Sequence, residues 1–114
     1  RYIEATREGV YTGRSTDIGI VLDLMIHDLD LILSIVPSSV EQVHAFGWTV
    51  LGQHEDMAVA QLIFKNGTMA QIRASRVSDS KNRCMQICSD TDITKIDFAQ
   101  GTVTQTRPFD DVLK

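Results

Sequence analysis

From residue 18 to residue 36 the chain runs through Ile, Val, Leu and Met with few breaks, and the ionisable groups set into that run are Asp23, His27, Asp28 and Asp30. Ser15, Thr16 and Asp17 ahead of it offer N-cap oxygens, and Pro37-Ser38-Ser39 stops it. The spacing therefore predicts a helix over residues 18–35. Residues three and four apart are neighbours on a helix, so Asp23, His27 and Asp30 share one face. The rest of the helix is apolar nearly all round, the pattern of a helix buried in protein. A carboxylate or imidazole buried without partners costs several kcal/mol, so these groups are either satisfied or used. At the standard rise the helix is roughly 27 Å long, enough to cross a sheet of five or six strands. Four ionisable groups near its middle argue against a membrane span.

The remainder reads as β-structure. Residues 2–7 alternate as a strand, and residues 9–14 form a loop with two glycines. After the helix come strands over residues 40–51, 56–65, 68–78, 83–88, 93–98 and 102–107. Asn66-Gly67 between two alternating runs is a strong hairpin signal, and Gln100-Gly101 marks a second tight turn. Successive hairpins imply an antiparallel meander. Along residues 68–78, Ala70, Ile72 and Ala74 point one way and Met69, Gln71, Arg73 and Ser75 the other. The small apolar side accepts the helix. The expected class is α+β: a mainly antiparallel sheet of about six strands, one long helix on one face, and the other face open for oligomerisation.

The chain has 114 residues, 43% hydrophobic and 23% charged, with a net charge of −4. That suits a single packed domain over residues 1–114. It starts at Arg1 on a strand-like segment, so it reads as a piece of a longer protein. Basic residues are scattered and aromatics are 6%, against the basic stripe and stacking platform of a nucleic-acid binder. Cys84 and Cys88 lie four apart in a strand, roughly 13 Å along it, beyond the reach of about 7 Å between Cα atoms that a disulfide allows. Two unbridged thiols suit a reducing, cytoplasmic compartment.

Three readings of Asp23, His27 and Asp30 stand side by side. His27 can be a satisfied core histidine, with the aspartates capping loops or pairing with arginines. The three can bind a metal, although His44 and His54 are not spaced to join them and a site needs three or more ligands. Or His27 is a general acid/base whose tautomer and basicity a carboxylate sets. Burial lowers a histidine pKa and a nearby carboxylate raises it, so the two can hold it near neutrality. No G-x-G-x-x-G, P-loop or G-x-S-x-G motif is present.

Gly19-x-x-x-Asp23-x-x-x-His27-x-x-Asp30 on a long helix, after a strand and loop and before an Asn-Gly hairpin meander, resembles the C-terminal domain of the glucose–fructose oxidoreductase / inositol dehydrogenase / rhizopine catabolism (Gfo/Idh/MocA) family. The resemblance spans residues 2–98. It implies an N-terminal Rossmann domain that binds NAD or NADP, absent from this chain, and a C-terminal domain that supplies substrate contacts and an oligomer interface through its open sheet. It implies that His27 exchanges a proton with a substrate hydroxyl as hydride moves to nicotinamide. By the same resemblance Asp23 orients histidine or substrate, and Asp30 supports them. The family's catalytic lysine, in a Glu-Lys-Pro motif of the Rossmann domain, has no counterpart among Lys65, Lys81, Lys95 and Lys114. Many members carry Gly two residues before the histidine, where this chain has Met25. Leu22-Asp-Leu-Met-Ile-His-Asp-Leu-Asp30 is similar to a bacterial subgroup associated with sugar nucleotides and lipid A-type amino sugars. Arg14, entering the helix, and Arg76 are candidates to meet a phosphate or carboxylate of such a substrate.

The function expected is that of the substrate domain of an NAD(P)-dependent oxidoreductase interconverting a secondary alcohol and a ketone on a sugar, cyclitol or sugar nucleotide. On this reading the domain is inactive alone, binds no metal, nucleic acid or membrane, and pairs as a homodimer or homotetramer. The rival is a non-catalytic oligomerisation or ligand-binding module.

Overall fold

The computed structural model describes residues 1–12, 18–51 and 53–107, with the backbone alone at residues 22 and 23. Seven strands form one sheet: β1 (Tyr2–Glu8), β2 (Val40–Trp48), β3 (Met57–Phe64), β4 (Met69–Ser75), β5 (Asn82–Cys88), β6 (Ile93–Asp97) and β7 (Thr102–Thr106). One helix, α1, joins β1 to β2. It has a π-helical turn at Val21–Met25 and α-helix at Ile26–Ile35. The architecture is α+β, with the helix on one face of an open, mostly antiparallel sheet.

The strand order is β2-β3-β4-β1-β5-β6-β7. Two three-stranded meanders thus flank β1, which runs parallel to β4 and antiparallel to β5. A single continuous meander was expected, and β4 and β5 are instead separated by the first strand of the chain. Hairpin signals report only neighbours in sequence, whereas β1 is paired over about 65 to 85 residues of separation, which follows from its register with Met69 and Cys88. Its Ile3 and Ala5 are buried in the core.

The hairpin turns form where the sequence places them. Gly67 takes φ +88° and Gly101 φ +67°, the left-handed region that costs glycine least. Asn66 Oδ1 accepts the Thr68 N–H at 3.0 Å, closing the first turn. In the second, Asp97 Oδ1 accepts N–H groups of Ala99 and Gln100.

The core lies between the helix and the sheet. Ala58, Ala60, Leu62 and Phe64 of β3 and Ala70, Ile72 and Ala74 of β4 meet Ile20, Met25, Ile32 and Val36. The alanines among these strand residues let the helix come close. Val36 turns extended at the helix end, ahead of Pro37.

The π turn departs from the regular helix expected. Ile20 and Met25 are both buried, yet residues five apart point about 140° apart on an α-helix. Hydrogen bonds from i to i+5 widen the turn and bring the two toward one side, after which Asp28, Ile32 and Val36 continue the buried stripe at α-helical spacing.

Candidate functional site

The buried stripe of α1 decides where the histidine goes. Each α-helical residue advances about 100°, so with Met25, Asp28, Ile32 and Val36 against the sheet, His27 and Asp30 fall on the far side. Both are exposed. His27 is therefore not a core histidine of this chain: the imidazole stands on the outward face of a helix whose opposite face is locked down. The helix was expected to be buried all round. A sheet covers only one side of a helix, and Ile26, Leu31, Leu33 and Ile35 remain 36 to 51% exposed along the outer flanks. The polar stripe thus runs between two apolar margins.

Asp23 lies in the π turn, one segment before His27. Its side chain is outside the described residues, as are Arg14 and the N-cap candidates Ser15, Thr16 and Asp17. The π turn places the motif's first carboxylate and its histidine on differently wound backbone, a feature frequent at functional sites.

Among the described side chains of the helix, Asp28 is the charged one that the fold buries, at 3% exposure. Arg7 of β1 donates to it through both Nε, to Oδ2 at 3.1 Å, and Nη2, to Oδ1 at 3.2 Å. The sequence carried a signal for this pair: Ile3, Ala5 and Arg7 form one row of β1, and a charge ending an apolar row needs a partner. Arg83 of β5 sits directly opposite Arg7 in register, and like charges there are unfavourable unless one is neutralised.

At the start of the helix, Glu55 meets the first turn in two ways. Its carbonyl accepts the Ile20 N–H at 2.8 Å. Its carboxylate occupies the place a Cβ on Gly19 would take. A negative charge at a helix N-terminus is favourable, because the free N–H groups there carry partial positive charge. Glu55 also lines a mainly apolar groove of about 360 Å³ with Val21, Met25, Phe46 and Gly47. Sequence reasoning singled out Gly19 and missed Glu55, because the two meet only through the fold.

Arg76 is buried, at 6% exposure. Its Nε donates to Asp56 Oδ1 at 2.9 Å, and its N–H to the Asp56 carbonyl at 3.0 Å. The other oxygen of Asp56 accepts the Val50 and Leu51 N–H groups at 3.0 and 2.8 Å. The pair ties the β2–β3 loop to the end of β4.

Among the described residues no group of three or more His, Cys, Asp or Glu is placed to hold a metal ion, and no helix is long and apolar enough to cross a membrane. Cys84 and Cys88 are free thiols on the sheet face away from the helix. Burial, then the carboxylate of Asp97, pushes the Cys84 thiol above its ordinary range, against a hydrogen bond to Thr6 that lowers it. On the same open face, Phe46 and Trp48 stack with ring centroids 6.5 Å apart. Both are at least half exposed.

Comparison with known proteins agrees with this architecture. The GFO/IDH/MocA C-terminal domain family matches residues 3–104. The UDP-N-acetylglucosamine 3-dehydrogenase of Acidithiobacillus ferrooxidans is 39% identical over 103 residues, which is 90% of this chain and 33% of that protein. Its solved structure superposes with a TM-score of 0.89 at 37% identity, covering 95% of this chain and 36% of the other. A NAD-binding protein from Listeria innocua (TM-score 0.81, 24% identity, 93% of this chain and 34% of that one) shares the fold. So does the WlbA dehydrogenase from Bordetella pertussis, solved in complex with NADH and UDP-GlcNAcA (TM-score 0.79, 17% identity, 93% and 38%). The chain spans about a third of the length of these relatives. On the match over residues 3–104, the helix-borne motif and the open seven-stranded sheet, this chain belongs to the Gfo/Idh/MocA family as its C-terminal domain.

Proposed function

We propose that this chain is the substrate-side domain of an NAD(P)-dependent dehydrogenase that oxidises a secondary alcohol of a sugar nucleotide, UDP-N-acetylglucosamine being the first candidate. The observation that carries the reading is His27 exposed on the outer face of α1, between apolar margins, in a chain of this family. The substrate is suggested by the relative that is 39% identical over 90% of the chain.

The residues of this chain carry no Gly-rich cradle for a dinucleotide, so the cofactor belongs to a further domain. When bound, nicotinamide supplies the hydride acceptor. The domain's own contribution is proton handling and orientation. His27 takes the proton of the substrate hydroxyl, a task for which an imidazole is suited near neutral pH. Asp23 orients that ring or the substrate, and Asp30, exposed on the same side, supports the sugar. Arg14 is kept as a contact for the anionic part of the substrate. Arg76 is the second candidate for that contact, and it has a structural part as well. Its guanidinium is buried against Asp56, and through that pair it holds the β2–β3 loop, whose Glu55 in turn meets the helix start.

The face away from the helix, with Phe46 and Trp48 exposed on an edge strand, is the surface by which copies would pair. The unbridged Cys84 and Cys88 suit a cytoplasmic setting. The test is reduction of NAD⁺ or NADP⁺, followed by absorbance, when the full-length protein is given UDP-N-acetylglucosamine. His27→Ala is measured beside it. Turnover that survives His27→Ala removes the acid–base role, and no turnover with any sugar nucleotide removes the substrate class.

A further inference from the structure

We infer that Arg7 is a positioning residue: its two-pronged ion pair with Asp28 sets the rotation of α1 about its own axis and thereby the direction in which His27 is presented. The inference rests on the reading of His27 as the acid–base group, and adds a residue from a different element to that site. Among the described residues, the other side chains that α1 and its end pack into the core from Leu24 onward are apolar: Met25, Ile32 and Val36 are buried, and Leu24 and Leu29 partly so. Apolar contacts set which face of the helix is down only to within the width of the stripe, because burial is itself non-directional. The pair narrows that width to one angle. Both guanidinium donors meet both carboxylate oxygens, at 3.1 and 3.2 Å, and such fork-to-fork bonding tolerates little rotation. Asp28 adjoins His27 in sequence, so holding Asp28 against β1 holds the imidazole about 100° round the helix, toward the open side. Asp28 is 4% exposed and Arg7 17% by side chain, so water does not loosen the geometry. The strand that carries Arg7 is central in the sheet, the stiffest place from which to aim a side chain.

The experiment uses the full-length protein and separates aim from stability. Replacing a buried ion pair by apolar residues of similar size is commonly neutral or stabilising. The double variant Arg7→Met/Asp28→Leu is therefore expected to keep the parental thermal midpoint while lowering kcat about 10- to 100-fold, the scale of a small misplacement of a catalytic group. KM for UDP-N-acetylglucosamine is expected to change little. A second readout needs no turnover: the rate at which diethyl pyrocarbonate modifies His27, followed by peptide mass spectrometry, is expected to change, while the rates at His44 and His54 do not. Asp28→Asn, which keeps the shape of the side chain, is measured alongside and is expected to shift both readouts in the same sense. Parental kcat in either variant, or an unaltered His27 modification rate, overturns the inference. Loss of the acid–base reading is seen separately, in full turnover by His27→Ala.

Discussion

Asp56 binds Arg76 through one carboxylate oxygen and the backbone of Val50 and Leu51 through the other, so a single buried acid joins the end of β4 to the loop that meets the helix. Asp56 is fully buried, and removing one partner of such a pair strands a charge away from water. Asp56→Ala and Arg76→Ala are each expected to cost about 3–5 kcal/mol of stability, the usual scale for a broken buried ion pair. Denaturant titration of the full-length protein checks this. A change below about 1 kcal/mol, the scale of an exposed pair, would show that the contact is not held in solution.

The acid–base assignment has a kinetic signature. His27→Ala is expected to lower kcat about 10²- to 10⁴-fold, and Asp23→Asn to impair turnover as well. Steady-state assays across pH measure both. An unchanged pH profile in Asp23→Asn would leave that carboxylate a packing or capping role.

Gly19 and Glu55 form a coupled pair. A Cβ at position 19 lands on the Glu55 carboxylate, the far end of a flexible side chain that can swing aside. Gly19→Ala is therefore expected to destabilise by at most about 1–2 kcal/mol, within the ordinary range for a single substitution. In a Glu55→Ala background most of that cost should vanish. A double-mutant cycle by thermal denaturation reads the coupling directly, and simple additivity would argue against the close approach.

Cys84 offers a test of the open face by pH. Its thiol is held above the ordinary range chiefly by burial, and the thiolate is the reactive form. Alkylation at neutral pH is therefore expected to be slower than for a free thiol, accelerating only above the pH where ordinary thiols ionise. The folded state holds this proton more tightly than the unfolded chain, so the contribution to stability is fully present below the ordinary thiol pKa and is lost as pH rises through the raised one. Rapid alkylation of Cys84 at pH 7 would contradict the direction of the shift.

Pairing through the open face depends on Phe46 and Trp48. Sedimentation of the full-length protein should show a multimer that Phe46→Glu/Trp48→Glu reduces to a smaller species. A parent that sediments as a monomer at high concentration would dismiss this interface.

Strands, helix and turns were legible because each has a local cause: Pro37 ends a helix, glycines at 67 and 101 accept positive φ, and alternation in residues 69–75 sorts small apolar side chains to one face. The residues of the motif were legible as a row of polar groups in an apolar run. Which member of that run would be buried was not, since Asp28 and His27 are adjacent and equally polar. The packing of Met25, Ile32 and Val36 on the sheet, with Arg7 at the end of the apolar row of β1, selects Asp28 for the inside and turns His27 outward. The amino-acid order thus settled what forms along the chain, because capping, turn chemistry and periodicity act over a few residues. The tertiary structure alone settled which groups meet, because the contacts of Arg7 with Asp28, Asp56 with Arg76 and Gly19 with Glu55 join segments 20 to 36 residues apart, a choice made by burial and charge neutralisation across the whole sheet.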